Sequence, residues 1–123
     1  MKKIKIGITG AGSFAKSFIP LFKAHPNVTS VALAEVLPER RHDVAAEFQI
    51  EDTYESHEAL CSSDVDAVAI ITQRHMHGPQ AVEALNKGKH VYSAVPAAIT
   101  VEEIEELVST VAATGLMYMM GET

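Results

Sequence analysis

The sequence predicts an α/β domain built on a doubly wound, mostly parallel sheet. Three observations lead there. Short β-branched apolar runs alternate with longer amphipathic stretches, which is the rhythm of βαβ units. Several of the short runs, such as Val68-Ala69-Ile70-Ile71, are apolar at consecutive positions, as strands covered by helices on both faces must be. The first run passes directly into a glycine-rich turn, Gly10-Ala11-Gly12-Ser13-Phe14-Ala15, that opens an amphipathic stretch.

The first strand is read over residues 5–9, and the helix that follows the glycines over 13–24. Residues 28–35 form the second strand. Pro38 then starts a helix over 38–48, at a position where its missing N–H leaves no bond unmade. A short strand at 51–54 and a short helix at 56–62 precede the fourth strand, 67–72. The next helix, 79–87, is stopped by Gly88 and leads to a strand at 90–93. Thr100 and Glu103 make a capping box for a helix over 101–114, Glu102 to Glu106 suit its positive end, and Gly115 supplies a left-handed stop. A last strand is read at 116–120. Right-handed crossovers wind these units into one open sheet, and no linker, repeat or low-complexity tract divides residues 1–123 into more than one domain. The chain stops at Met119-Met120-Gly121-Glu122-Thr123, directly after an apolar strand, and is expected to be a fragment of something longer.

Composition sets outer bounds. At 47% hydrophobic and 21% charged residues, 123 residues can bury a core without a disulfide or a metal. Ten Lys and Arg against sixteen Asp and Glu leave a net charge of -6, which argues against a nucleic-acid partner. The longest apolar runs fall far short of a bilayer span, and the basic opening Met1-Lys2-Lys3-Ile4-Lys5 meets Gly7, Gly10 and Gly12 too soon for a signal peptide. The single cysteine, Cys61, fits a reducing compartment, so a cytoplasmic location without membrane contact is expected. On its short helix Cys61 reads as a small buried apolar residue rather than a nucleophile.

The glycine turn carries the chemistry. Gly10, Gly12 and Ala15 make G-x-G-x-x-A: the first glycine turns the chain out of the strand, the second lets the backbone approach a pyrophosphate, and the alanine packs helix against strand. The helix start beyond offers free amides at Ser13 and Phe14 and a positive dipole end to phosphates. Glu35, twenty residues after Ala15, ends the second strand, where a carboxylate can accept from the adenosine ribose hydroxyls. That acid, followed by Val36, favours NAD and disfavours the 2′-phosphate of NADP; Arg40 and Arg41 lie near enough to keep NADP open, although solvated charges on a helix start account for them more simply. S-adenosylmethionine also binds glycine-rich first turns, but this motif with its second-strand acid suits a dinucleotide better. His75 and His77 are spaced i, i+2 with no Cys or carboxylate cluster beside them, so no metal site is expected.

Over essentially its whole length the chain resembles the N-terminal, Rossmann-like NAD(P)-binding domain of the Gfo/Idh/MocA oxidoreductases. The resemblance rests on Gly10 to Ala15, on Glu35 ahead of Pro38-Glu39-Arg40, on Asp66-Ala67-Val68-Ala69-Ile70-Ile71-Thr72 leading to His77, and on Ala84-Leu85-Asn86-Lys87-Gly88-Lys89-His90-Val91 with Pro96 beyond. Gln73 and Arg74 stand where the family has Pro and Asn. Ala94-Val95-Pro96 replaces its Glu-Lys-Pro, and an apolar Val95 can neither donate a hydrogen bond nor hold a proton. The resemblance implies cofactor contacts at Gly10, Gly12, Ser13, Phe14, Ala15, Glu35, Thr72, His77 and Pro96, and assigns no catalytic residue within this chain. It also implies a second domain, absent here, that supplies substrate contacts and the interface of any homo-oligomer. The expected function is therefore the dinucleotide-binding part of an oxidoreductase that moves hydride to or from a sugar, polyol or similar substrate, inactive by itself. The alternative is a dinucleotide sensor or regulatory module without redox activity.

Overall fold

A computed structural model describes residues 2–121. Met1, and the Glu122-Thr123 end of the terminal run singled out above, lie outside the described residues. In chain order the elements are β1 (Ile4–Thr9), α1 (Ser13–Ala24), β2 (Val28–Ala34), α2 (Pro38–Phe48), β3 (Asp52–Tyr54), α3 (His57–Cys61), β4 (Ala67–Ile70), α4 (His77–Asn86), β5 (His90–Ala94), α5 (Val101–Thr114) and β6 (Tyr118–Gly121), with a 3-10 turn at Arg74–Met76 before α4. The six strands are parallel in the order β3-β2-β1-β4-β5-β6, the Rossmann arrangement expected from the sequence.

Both faces of the sheet are covered, which is why its strands are apolar at consecutive positions. Ile8, Val31, Leu33 and Ala69 turn to one face and meet Ala15, Phe18 and Ile19 of α1 and Val44 of α2. Their neighbours Ala32, Ala34, Val68, Ile70 and Val91 turn to the other and meet Leu60 of α3, Ala81, Ala84 and Leu85 of α4 and Leu107 of α5. Burying a side chain of this size fully contributes about 1.5–3 kcal/mol, so the two layers together set the strand register.

Helix starts follow their local chemistry. Ser56 Oγ accepts from Ala59 N at 3.0 Å, and Thr100 Oγ1 from Glu103 N at 3.1 Å. The return half of the capping box lands one residue early, since Glu103 Oε1 accepts from Ile99 N at 2.9 Å rather than from Thr100. Gly115 ends α5 at φ 70°, the left-handed stop its position suggested.

Boundaries differ from expectation by up to two residues: β4 ends at Ile70 rather than 72, and two further shifts bear on the site. Helix α4 begins at His77 rather than 79, because Pro79 falls inside its first turn, where a missing N–H costs nothing. The last strand runs 118–121 rather than 116–120: after Gly115, Leu116 N reaches back to Thr114 Oγ1 and Met117 N bonds His90 Nδ1 before the parallel ladder with β5 begins. The order of strands reverses between β1 and β4, and parallel pairing brings all carboxyl ends to one edge. A crevice opens there.

Candidate functional site

The crevice encloses about 580 Å³ at the switch point between β1 and β4. Its floor is the turn out of β1. Gly10 has φ 108°, and a Cβ there would stand 2.2 Å from the Ile71 carbonyl oxygen, so close approach to the end of β4 requires glycine twice over. Gly12 is different. It precedes the first turn of α1 with ordinary extended backbone, and a Cβ on it would meet nothing within 4 Å. No side chain caps α1, so its leading amides stay free beside a wall formed by Gly12, Ser13 and Phe14. Ala15 stands behind that wall, fully buried against the sheet, where its small side chain lets α1 lie close to β1.

Glu35 sits at the end of β2 with its side chain only 7% exposed. Oε1 accepts from Ala11 N at 3.0 Å and Oε2 from Leu37 N at 3.1 Å, so the carboxylate ties the glycine turn to the loop after β2 while each oxygen keeps a lone pair. Arg40 Nη1 approaches Oε1 at 3.7 Å from a half-exposed position in the crevice wall. Arg41 turns away and donates to the Glu35 carbonyl at 2.8 Å. The two arginines, equivalent in the sequence, therefore differ in place: Arg40 borders the crevice beside the Glu35 carboxylate, whereas Arg41 holds the main chain.

The opposite wall comes from the loops after β4 and β5. Thr72 Oγ1 donates to Gln80 Oε1 at 2.7 Å, and Gln73, Arg74 and Met76 line the mouth. His77, 1% exposed at the start of α4, lies between the Thr72 carbonyl (2.9 Å from Nε2) and the Pro96 carbonyl (2.8 Å from Nδ1). Its ring nitrogens are thus occupied by main chain. Pro96, joined to Val95 by a cis peptide bond, contributes that carbonyl rather than a surface in the wall; Ala94 and Val95 form the surface.

One wall residue went unread in the sequence. His57 is buried at the start of α3, with Nε2 2.8 Å from the Gln80 carbonyl and Nδ1 2.7 Å from Thr9 Oγ1. A carbonyl only accepts, so Nε2 carries the proton and the Thr9 hydroxyl donates to Nδ1. Burial holds this imidazole below its ordinary value. No spacing rule links residues 9, 57 and 80, and only the burial of a histidine one turn before the apolar Leu60 and Cys61 hinted at it. The Cys61 thiol, 3.3 Å from His57 Nε2, is pushed up to about 12 by burial, which leaves it protonated and unreactive. Among the described residues no three His, Cys, Asp or Glu side chains gather as metal ligands, and no helix is long and apolar enough to cross a membrane.

The wall fits a dinucleotide on two observations: open space over Gly12 beside uncapped helix amides, and a carboxylate with lone pairs to spare at the far end of the same turn. Known proteins agree. The chain is 32% identical over 121 residues to the 4-carboxy-2-hydroxymuconate-6-semialdehyde dehydrogenase of Sphingobium, covering 98% of this chain and 38% of that protein. It is 34% identical over 123 residues to a glycosyl hydrolase family 109 protein of Porphyromonas gingivalis, covering 89% of this chain and 26% of the relative. The scyllo-inositol dehydrogenase of Lactobacillus casei, solved with bound NAD(H) and scyllo-inositol, superposes with a TM-score of 0.90 at 30% identity, covering 98% of this chain and 36% of that one. The chain thus spans well under half the length of these relatives. The family model for the NAD-binding Rossmann fold of oxidoreductases matches residues 4–122, and the chain belongs to that family, Gfo/Idh/MocA.

Proposed function

We propose that this chain binds NAD in the crevice at the β1/β4 switch point and serves as the cofactor domain of an oxidoreductase acting on a sugar, polyol or similar substrate. The observation that carries the reading is the pairing of an open Gly12 with Glu35 on one turn. The free amides of Ser13 and Phe14 would hold the pyrophosphate, and the spare lone pairs of Glu35 would take the ribose hydroxyls. Thr72 and His77 border the far half of the crevice, while Ala15 and Pro96 act from behind by fixing the helix and loop that form the wall. When bound, the nicotinamide supplies hydride transfer. NAD is preferred to NADP because a 2′-phosphate would meet the Glu35 carboxylate, with Arg40, 3.7 Å from that carboxylate, positioned to soften the repulsion. Cys61, unpaired and buried, supports a cytoplasmic location.

A second reading, a dinucleotide sensor, is favoured by Ala94 and Val95, neither of whose side chains can move a proton. Calorimetric titration with NAD and NADP tests the common ground, and the expected result is tighter binding of NAD. Incubation of the purified chain with NAD and a panel of sugars, polyols and inositols should then give no sustained NADH absorbance. Substrate-dependent turnover by these 123 residues would show that the chain holds a complete active site.

A further inference from the structure

Both acceptors of His77 are main-chain carbonyls, at 2.8 Å from Nδ1 and 2.9 Å from Nε2. A neutral imidazole has one N–H and one bare nitrogen, whichever tautomer it adopts. One carbonyl would therefore face a nitrogen lone pair at hydrogen-bonding distance, on a ring that is itself 1% exposed. Neither ring flip nor tautomer exchange removes the conflict. Among the described residues, no main-chain amide outside the regular elements donates to the Thr72 or the Pro96 oxygen, so the ring is the donor on which both depend. His57 provides an internal contrast: it has one carbonyl and one hydroxyl as partners, a set that the neutral ring satisfies completely.

We propose that His77 is held as the doubly protonated imidazolium, a positioning residue whose two N–H groups tie the loop after β4 to the loop after β5 and whose charge stands in the wall of the crevice. The proposal rests on the cofactor reading only for the use of that charge, which would favour an anionic dinucleotide. Two charge-assisted bonds, each stronger than a neutral one, offset the burial of the cation. The start of α4 opposes a positive charge, as do Arg74 and His75 in the preceding turn. Glu103 of α5 acts the other way: its Oε1 lies 3.3 Å from where a Cβ of Gly78, the next residue, would stand. Across the wall, the Gln80 side chain meets Thr72 and its carbonyl meets neutral His57, so no further cation approaches from that side.

The direct test is the imidazole spectrum of the uniformly 15N- and 13C-labelled chain near neutral pH. Both His77 nitrogens should resonate as protonated, each with a slowly exchanging hydrogen, and scalar couplings across the bonds to the Thr72 and Pro96 carbonyls should assign the ring without any variant. A bare, pyridine-like nitrogen on His77 overturns the proposal. In a second arm, His77→Gln and His77→Phe are titrated with NAD; each should bind at least about tenfold more weakly than the unmodified chain. Unchanged affinity in a folded variant would remove His77 from the positioning of the wall. An unmodified chain that binds no NAD would overturn the cofactor reading instead, and the ring spectrum would still decide the protonation of His77.

Discussion

Gly10 and Gly12 stand two residues apart in one turn, yet the same kind of substitution should damage different properties at each. At Gly12 a Cβ meets nothing within 4 Å, so Gly12→Val is expected to leave the fold nearly intact. The cost is that of a β-branched residue at a helix N-cap, about 1 kcal/mol, or roughly 4 °C in Tm for a chain of this size. The added methyls would occupy the space through which a pyrophosphate reaches the free amides of α1. Losing one or two charge-assisted bonds amounts to about 3 kcal/mol, a hundredfold or more in Kd. At Gly10 the order reverses. The backbone at φ 108° strains any L side chain, and a Cβ would stand 2.2 Å from the Ile71 oxygen. Strain of about 1–3 kcal/mol plus a comparable overpacking term predicts that Gly10→Ala lowers Tm by roughly 8 °C or more. Thermal unfolding by circular dichroism and calorimetric titration with NAD, run on both variants, separate the two effects. Native affinity in a folded Gly12→Val would refute the placement of the pyrophosphate, and a native Tm for Gly10→Ala would refute the contact with Ile71.

Three further outcomes follow from the same geometry. Glu35→Ala should weaken NAD by about tenfold and narrow its advantage over NADP, since it removes both the ribose acceptor and the repulsion of a 2′-phosphate; tighter NADP than NAD binding in the unmodified chain would mean that Arg40 dominates. The unfolded state gains a proton on His57 below its ordinary value of 6.5 that the buried ring does not, so stability should fall as pH drops below about 6.5. Urea midpoints at pH 7.5 and 5.5 should differ more for the unmodified chain than for His57→Gln. With its thiol at about 12, Cys61 should resist an aromatic disulfide reagent at pH 8 until denaturant is added, and prompt labelling of the native chain would contradict its burial.

The legible parts of this chain are those governed by neighbours in sequence. Helices 13–24, 38–48 and 101–114 begin where the glycine turn, Pro38 and the Thr100 cap place them, and the last ends at Gly115, because those signals act within one turn. Glycine spacing and the distance to Glu35 marked the crevice for the same reason: the βαβ unit fixes how far apart they fall. Contacts across the sheet left no such trace. That Glu35 grips Ala11 N, that Arg40 and not Arg41 reaches the crevice, and that His57 meets Thr9 all depend on how β1, β2, α2 and α3 are laid side by side. The start of α4 was read two residues late because Pro79 resembles a first residue and is the third.

Helix α4 also acts as a length gauge. Its opening turn presents His77 to the loops after β4 and β5, and Gln80 to Thr72 with one end and to His57 with the other. Successive residues on a helix are turned by about 100°, so one residue inserted between β4 and α4 would swing the His77 and Gln80 side chains away from Thr72 and Pro96, and shift the Gln80 carbonyl from His57, while leaving every helical bond in place. The damage would appear at the crevice and hardly at all in secondary structure. The stretch from Thr72 to His77 must therefore keep its count of residues for the loops after β4 and β5 to meet at one wall.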